Sequence, residues 1–124
     1  MVNDNISTDL ARRIINPWRW QDAYGYVQAN EIADAHRVLV CSGQPATDAD
    51  EHLMHAGDMR GQIGQTLDSL ETVLHTAGMS LGDVVRLDYY ATDVDAFAAM
   101  TEFGDQLTEA NCKPASCAER IRVR

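Results

Sequence analysis

The sequence predicts an α+β domain in the order strand, strand, helix, strand, helix, strand. Three observations carry this. Met59, Ile63, Leu67, Leu70, Leu74 and Ala77 recur at spacings of four and three, which sets them on one helical stripe. Val85, Leu87 and Tyr89 alternate against Val84, Arg86, Asp88 and Tyr90, as in a strand with one wetter face. "YGYVQANEI", from Tyr24 to Ile32, alternates with period two and is rich in aromatics, again a strand.

Residues 1–20 read as an N-terminal arm that turns at Asn16-Pro17 and is pinned by Trp18 or Trp20. After the Tyr24–Ile32 strand, "ADAH" turns the chain into "RVLVCSG". That short, β-branched, nearly all-apolar run predicts a strand buried on both faces and closing a hairpin. "QPATDADEHLMHAGD" is loop. Asp58 is placed to cap the first helix and Gly78 to end it in a left-handed conformation. A second helix follows "TDVD", with Ala96, Met100, Phe103 and Leu107 inward and Gly104 weakening it modestly. After Pro114 the chain alternates again, Ile121 and Val123 against Arg120, Arg122 and Arg124, which predicts a last strand. The helices serve as crossovers between parallel strands, so one mixed sheet carries both helices on one face. If Tyr24, Tyr26 and Tyr89 lie on the other face, that face needs a second subunit.

With 124 residues and no internal repeat, the chain is expected to form one domain, residues 1–124. A net charge of −9 argues against nucleic acid and against anionic membranes as partners. No apolar run approaches the roughly 20 residues that span a bilayer, and "MVNDNISTDLARR" has no signal-peptide core. Cys41, Cys112 and Cys117 form no CxxC pair, so neither a disulfide framework nor a zinc site is expected. A reduced, cytoplasmic protein without a metal or cofactor is the resulting expectation.

"YGYVQA", then "VLVCSGQPATD", then "MSLGDVVRLDYYATDVDAFAAM" together resemble the Rid family, also called YjgF or endoribonuclease L-PSP. The likeness runs in register from about Asn16 to Pro114, and "NPWRWQDA" and "KPAS" point to a divergent branch. The resemblance implies a chorismate-mutase-like fold and a homotrimer with clefts between subunits. It also implies hydrolysis of reactive imines and enamines to ketones and ammonium.

Residue by residue, the resemblance puts Tyr26 on the cleft wall and Ser42, with Gly43 behind it, along the lining. Thr101 stands where the deaminases carry an asparagine. Their substrate-carboxylate arginine has no counterpart: Pro114-Ala115 is followed by Ser116, and with a one-residue gap Cys117 matches a cysteine beside the pocket. The glutamate that orders the attacking water also has no counterpart within the sequence. A serine cannot replace a planar bidentate cation. Glu119 for the water and Arg120 for the charge are the local candidates.

Plainer readings stand beside these. Tyr26 and Ser42 also suit sheet packing and a strand end, Cys117 suits a small core residue, and His52 and His55 suit a polar loop rather than a metal site. The arginine row suits a strand face against a neighbouring subunit better than a site, since alternating side chains cannot all enter one cleft. Two functions follow: an imine or enamine hydrolase whose ligand is a small imine, enamine or carboxylate metabolite, or a non-catalytic trimer that binds a metabolite or protects proteins. A ribonuclease is disfavoured by the charge.

Overall fold

A computed structural model describes residues 11–100 and 102–120 of the chain. Its strands are β1 (Ala11–Ile15), β2 (Ala29–Ala33), β3 (Arg86–Ala91) and β4 (Ala115–Arg120). Its helices are α1 (Met59–Thr76), α2 (Val94–Ala98) and α3 (Glu102–Glu109), with short 3-10 turns at Trp20–Tyr24 and Leu81–Asp83. The α+β class is as predicted and the fold is the chorismate-mutase-like one, but the order observed is β1, β2, α1, β3, α2, α3, β4 in place of ββαβαβ.

The first helix forms where its stripe requires. The Asp58 carboxylate accepts from the Gly61 N–H at 3.1 Å, satisfying one of the donors orphaned at a helix start. Gly78, at φ 75°, closes the other end as the sequence suggests. Leu70 and Leu74 are buried with Leu81, Phe103, Leu107 and Cys112, and Leu87 and Tyr89 of β3 pack against that cluster. Arg86, Asp88 and Tyr90 face the other way and are exposed. Tyr89 is therefore turned toward the helices and not toward a partner-facing surface.

The sheet is mixed. β1 and β2 pair antiparallel, Ala11 opposite Ala33 and Ile15 opposite Ala29. β3 and β4 pair parallel, Arg86 opposite Ala115 and Ala91 opposite Arg120. A single parallel bridge, Val27 to Ala115, joins the two ladders. Buried Arg12 ties them further: its guanidinium donates to Asn30 Oδ1 and Gly82 O, both at 3.0 Å, and to the Lys113 carbonyl. Asn30 Nδ2 donates in turn to Val85 O and Lys113 O.

Four further expectations are corrected. The hairpin partner of β2 is β1, inside the segment read as an arm. The strand placed at Tyr24–Ile32 starts only at Ala29, because Gly25, at φ 78°, ends a 3-10 turn there. The Arg37–Gly43 run makes no ladder among the described residues, and Val38 and Val40 are 78% and 88% exposed. Its composition reports a demand for burial that this one chain leaves unmet. The second helix is broken into α2 and α3. Phe97 and Phe103, six residues apart, would stand about 120° apart on a continuous helix. The break lets both rings meet Tyr89, at 4.9 and 5.4 Å. Ile121, Arg122, Val123 and Arg124 lie outside the described residues.

Burial also sets a pH limit on the core. It pushes the Cys112 thiol from 9.0 up to about 11, while the nearby Arg12 guanidinium pulls it down. The folded value exceeds the unfolded one, so the stabilisation is fully present below about pH 9 and is lost as pH rises toward 11. The loss is about 2–3 kcal/mol. In urea titrations at successive pH values, the stability advantage of the wild type over Cys112→Ala should shrink across that window.

Candidate functional site

A cavity of about 470 Å³ opens between the 20–24 turn, the end of β3, α2, α3 and the start of β4. One wall is Trp20 and Tyr26, whose rings meet edge to face at 6.2 Å. The other is Tyr89, Phe97 and Phe103, mutually in contact at 4.9 to 5.9 Å. Such edge-on and tilted aromatic pairs are the favoured arrangements. Trp20, 62% exposed, stands at the mouth, while Tyr89 lies deeper.

The turn that carries Trp20 is held by a buried amide network. Gln21, fully buried, donates to Asn16 Oδ1 at 3.1 Å and accepts from Gln28 Nε2 at 2.8 Å. Asn16 Oδ1 also accepts the Gln28 backbone N–H at 2.8 Å, so the turn and the approach to β2 are locked together. On the opposite side, Gly25 and Gly104 bring the turn and α3 into backbone contact; a Cβ on Gly104 would stand 2.9 Å from the Tyr24 carbonyl carbon.

Polar groups in the cavity are few and neutral. Burial raises the Tyr89 hydroxyl well above the ordinary tyrosine range, and the adjacent Ser116 hydroxyl only partly offsets this. Ser116 Oγ is buried beside the Tyr89 hydroxyl and has no partner of full hydrogen-bond geometry among the described residues. Burial raises Tyr26 as well, reinforced by Tyr24. Among the described residues, none of the lining side chains is a carboxylate, a lysine or an arginine.

Of the residues singled out from sequence, Tyr26 and Ser116 line this one cavity. Ser42 and Gly43 lie apart from it on the exposed segment. The backbones of Cys117, Glu119 and Arg120 are in β4, opposite Asp88, Tyr90 and Ala91. Thr101 lies outside the described residues. Trp18 is 62% exposed, so it does not anchor the arm. His52 Nδ1 pairs with Asp48 Oδ2 at 3.1 Å, and Asp48 Oδ1 accepts the Asp50 and His52 backbone N–H groups. That loop is a self-satisfied turn. The sequence reading missed Tyr89, Phe97, Phe103 and Gly104 as site residues. The one local signal was a cluster of aromatic residues around "TDVD", which reads first as core.

This aromatic cleft with its neutral hydroxyls is the candidate site. The chain belongs to the endoribonuclease L-PSP family, whose model matches residues 19–123. A RutC family protein of Pyrococcus horikoshii is 32% identical over 74% of this chain and 72% of its own length. The 2-iminobutanoate/2-iminopropanoate deaminase of Salmonella typhimurium is 28% identical over 98% of this chain and 88% of its own. A Rid family protein of unknown function from Yersinia pestis superposes with a TM-score of 0.77 at 28% identity, covering 91% of this chain and 89% of that one. Among the described residues, no helix is long and apolar enough to cross a membrane.

Proposed function

We propose that this chain is a Rid-type hydrolase of reactive imines and enamines, working in a cleft whose open side a second copy covers. The carrying observation is the meeting of Tyr26 and the unsatisfied Ser116 hydroxyl in one aromatic-walled cavity. Water adds to the carbon of the C=N bond while the π pair moves to nitrogen. Both protons of the added oxygen pass in turn to nitrogen, an oxygen lone pair forms the C=O bond as the C–N bond breaks with its pair going to nitrogen, and ammonia departs from a carbonyl. Neutral hydroxyls from Tyr26 and Ser116 suit the holding of that water and of the imine N–H. The ring faces suit the positive charge of a protonated imine. Glu119 and Arg120 in β4 remain the candidates for a base and a charged contact, and Ser42, Gly43, Thr101 and Cys117 for lining contributed within the assembly. The family's homotrimer belongs to this reading, since Val38 and Val40 are apolar and exposed.

The test is ammonium release from imines made in place: 2-iminobutanoate by an amino-acid oxidase, and benzaldimine by an amine oxidase acting on benzylamine. Acceleration of either is expected, with Ser116→Ala lowering it by about tenfold or more. A folded protein that accelerates neither supports a non-catalytic, metabolite-binding role, which the lack of a charged lining side chain among the described residues favours.

A further inference from the structure

Relatives named as 2-iminobutanoate/2-iminopropanoate deaminases are named for 2-imino acids, yet the described lining of this cavity offers no charged partner for a carboxylate. Among the described residues, its lining holds no cationic side chain. The arginines with described side chains are engaged elsewhere. Arg12 is buried on backbone carbonyls and Asn30. Arg13, Arg19, Arg60 and Arg86 pair with Glu31, Asp22, Glu102 and Asp88. Arg37 donates to the Ala77 carbonyl. A carboxylate drawn between Trp20, Tyr26 and Phe103 would shed water and gain only neutral hydroxyls, a balance that disfavours it. A planar cation faces the opposite balance, since aromatic faces attract it and a net charge of −9 draws it in. The walls suit a flat apolar body as well, standing as two aromatic groups with open space between them.

We propose that the substrate of this cleft is an imine carrying an aryl or similarly flat apolar group and no carboxylate, bound as its iminium cation between the Trp20–Tyr26 and Tyr89–Phe103 walls with Ser116 Oγ as its polar anchor. This rests on the imine-hydrolase reading and narrows it. Position 116 then sets the specificity: a hydroxyl accepts the iminium N–H, whereas an arginine there would repel the cation and hold an acid.

Three isosteric probes separate charge from shape: benzamidine, a stable planar amidinium; benzamide, neutral; and benzoate, anionic. Binding is read by quenching of tryptophan fluorescence and by calorimetry on the full chain. Benzamidine should bind at least tenfold more tightly than benzoate, with benzamide between them. Ser116→Ala should weaken benzamidine by about fivefold or more, and Ser116→Arg should invert the order in favour of benzoate. Trp20→Leu, at an exposed position, should weaken benzamidine with no loss of fold, which a melting curve verifies. Benzoate binding as tightly as benzamidine, or no probe binding to folded protein, overturns the proposal. The two readings fail differently. Acceleration of 2-iminobutanoate hydrolysis alone, uninhibited by benzamidine, keeps the hydrolase and removes the aryl iminium. Benzamidine binding without turnover of either imine keeps the cleft's preference and removes the hydrolase.

Discussion

Arg12→Leu should destabilise the fold by about 3 kcal/mol or more, the largest effect expected of any single substitution outside the apolar core. Arg12 is only 6% exposed, and its guanidinium spans three chain segments. Its Nε reaches Asn30 on β2, Nη1 reaches Gly82 before β3, and Nη2 reaches Lys113 before β4. The two ladders share one bridge, so these contacts do much of the joining. Leucine fills most of the volume but strands Gly82 O and Asn30 Oδ1 without their donor, and buried acceptors left unmade cost about 1–3 kcal/mol each. Lys113 O keeps its bond from Asn30. Burial lowers the Arg12 pKa, so part of the cost is offset by relief of that desolvation. Arg12→Lys should rescue little, because a single ammonium cannot copy a fork that meets three acceptors in fixed directions. Urea midpoints for the three proteins decide it; a leucine variant within 1 kcal/mol of wild type would mean that the bridge and the core hold the ladders unaided.

The same residue shows where reading along the chain stops. Arg12 sits in a segment whose polar, turn-rich sequence reads as an arm, and its partners lie far away in sequence at Gly82 and Lys113. No local pattern announces a buried hub. What local chemistry does announce was legible. The α1 stripe with its Asp58 cap, the alternation of β3 and the strand after Pro114 each follow from a period or a turn signal. The Rid-like motifs then supplied the fold. The Arg37–Gly43 run misled for a physical reason: apolar composition states that a segment wants covering, not what covers it. The cavity was half legible. Tyr26 and Ser116 followed from motif and register, but the second wall depends on a helix break that brings Phe97 and Phe103 onto Tyr89. Propensity at "FAAMTEFG" does not disclose that break. Gly104 was read as a mild weakness in a helix, when its lack of a side chain is what the turn beside it needs.

Gly104→Ala should therefore run against helix propensity. An alanine in a helix interior is ordinarily about 1 kcal/mol better than glycine. Here the added Cβ would stand 2.9 Å from the Tyr24 carbonyl carbon and 3.0 Å from the Ala23 carbonyl oxygen. Both neighbours are backbone and cannot rotate away, so the 20–24 turn has to lift from α3. Overpacking of this kind costs about 1–3 kcal/mol, enough to cancel the propensity gain and leave a net loss. Gly64→Ala is the matched control, since Gly64 is exposed in α1 and a Cβ there meets nothing within 4 Å. That variant should gain up to about 1 kcal/mol. Opposite signs for two identical substitutions would isolate the steric contact from propensity. The turn carries Trp20 and Tyr24 of the cavity wall, so lifting it should also loosen ligand binding. Benzamidine affinity should fall by about tenfold in Gly104→Ala and stay unchanged in Gly64→Ala. Equal stabilisation of both variants with unchanged binding would show that the turn is not pressed against α3, and that the wall it forms is set by the Asn16–Gln21–Gln28 network alone.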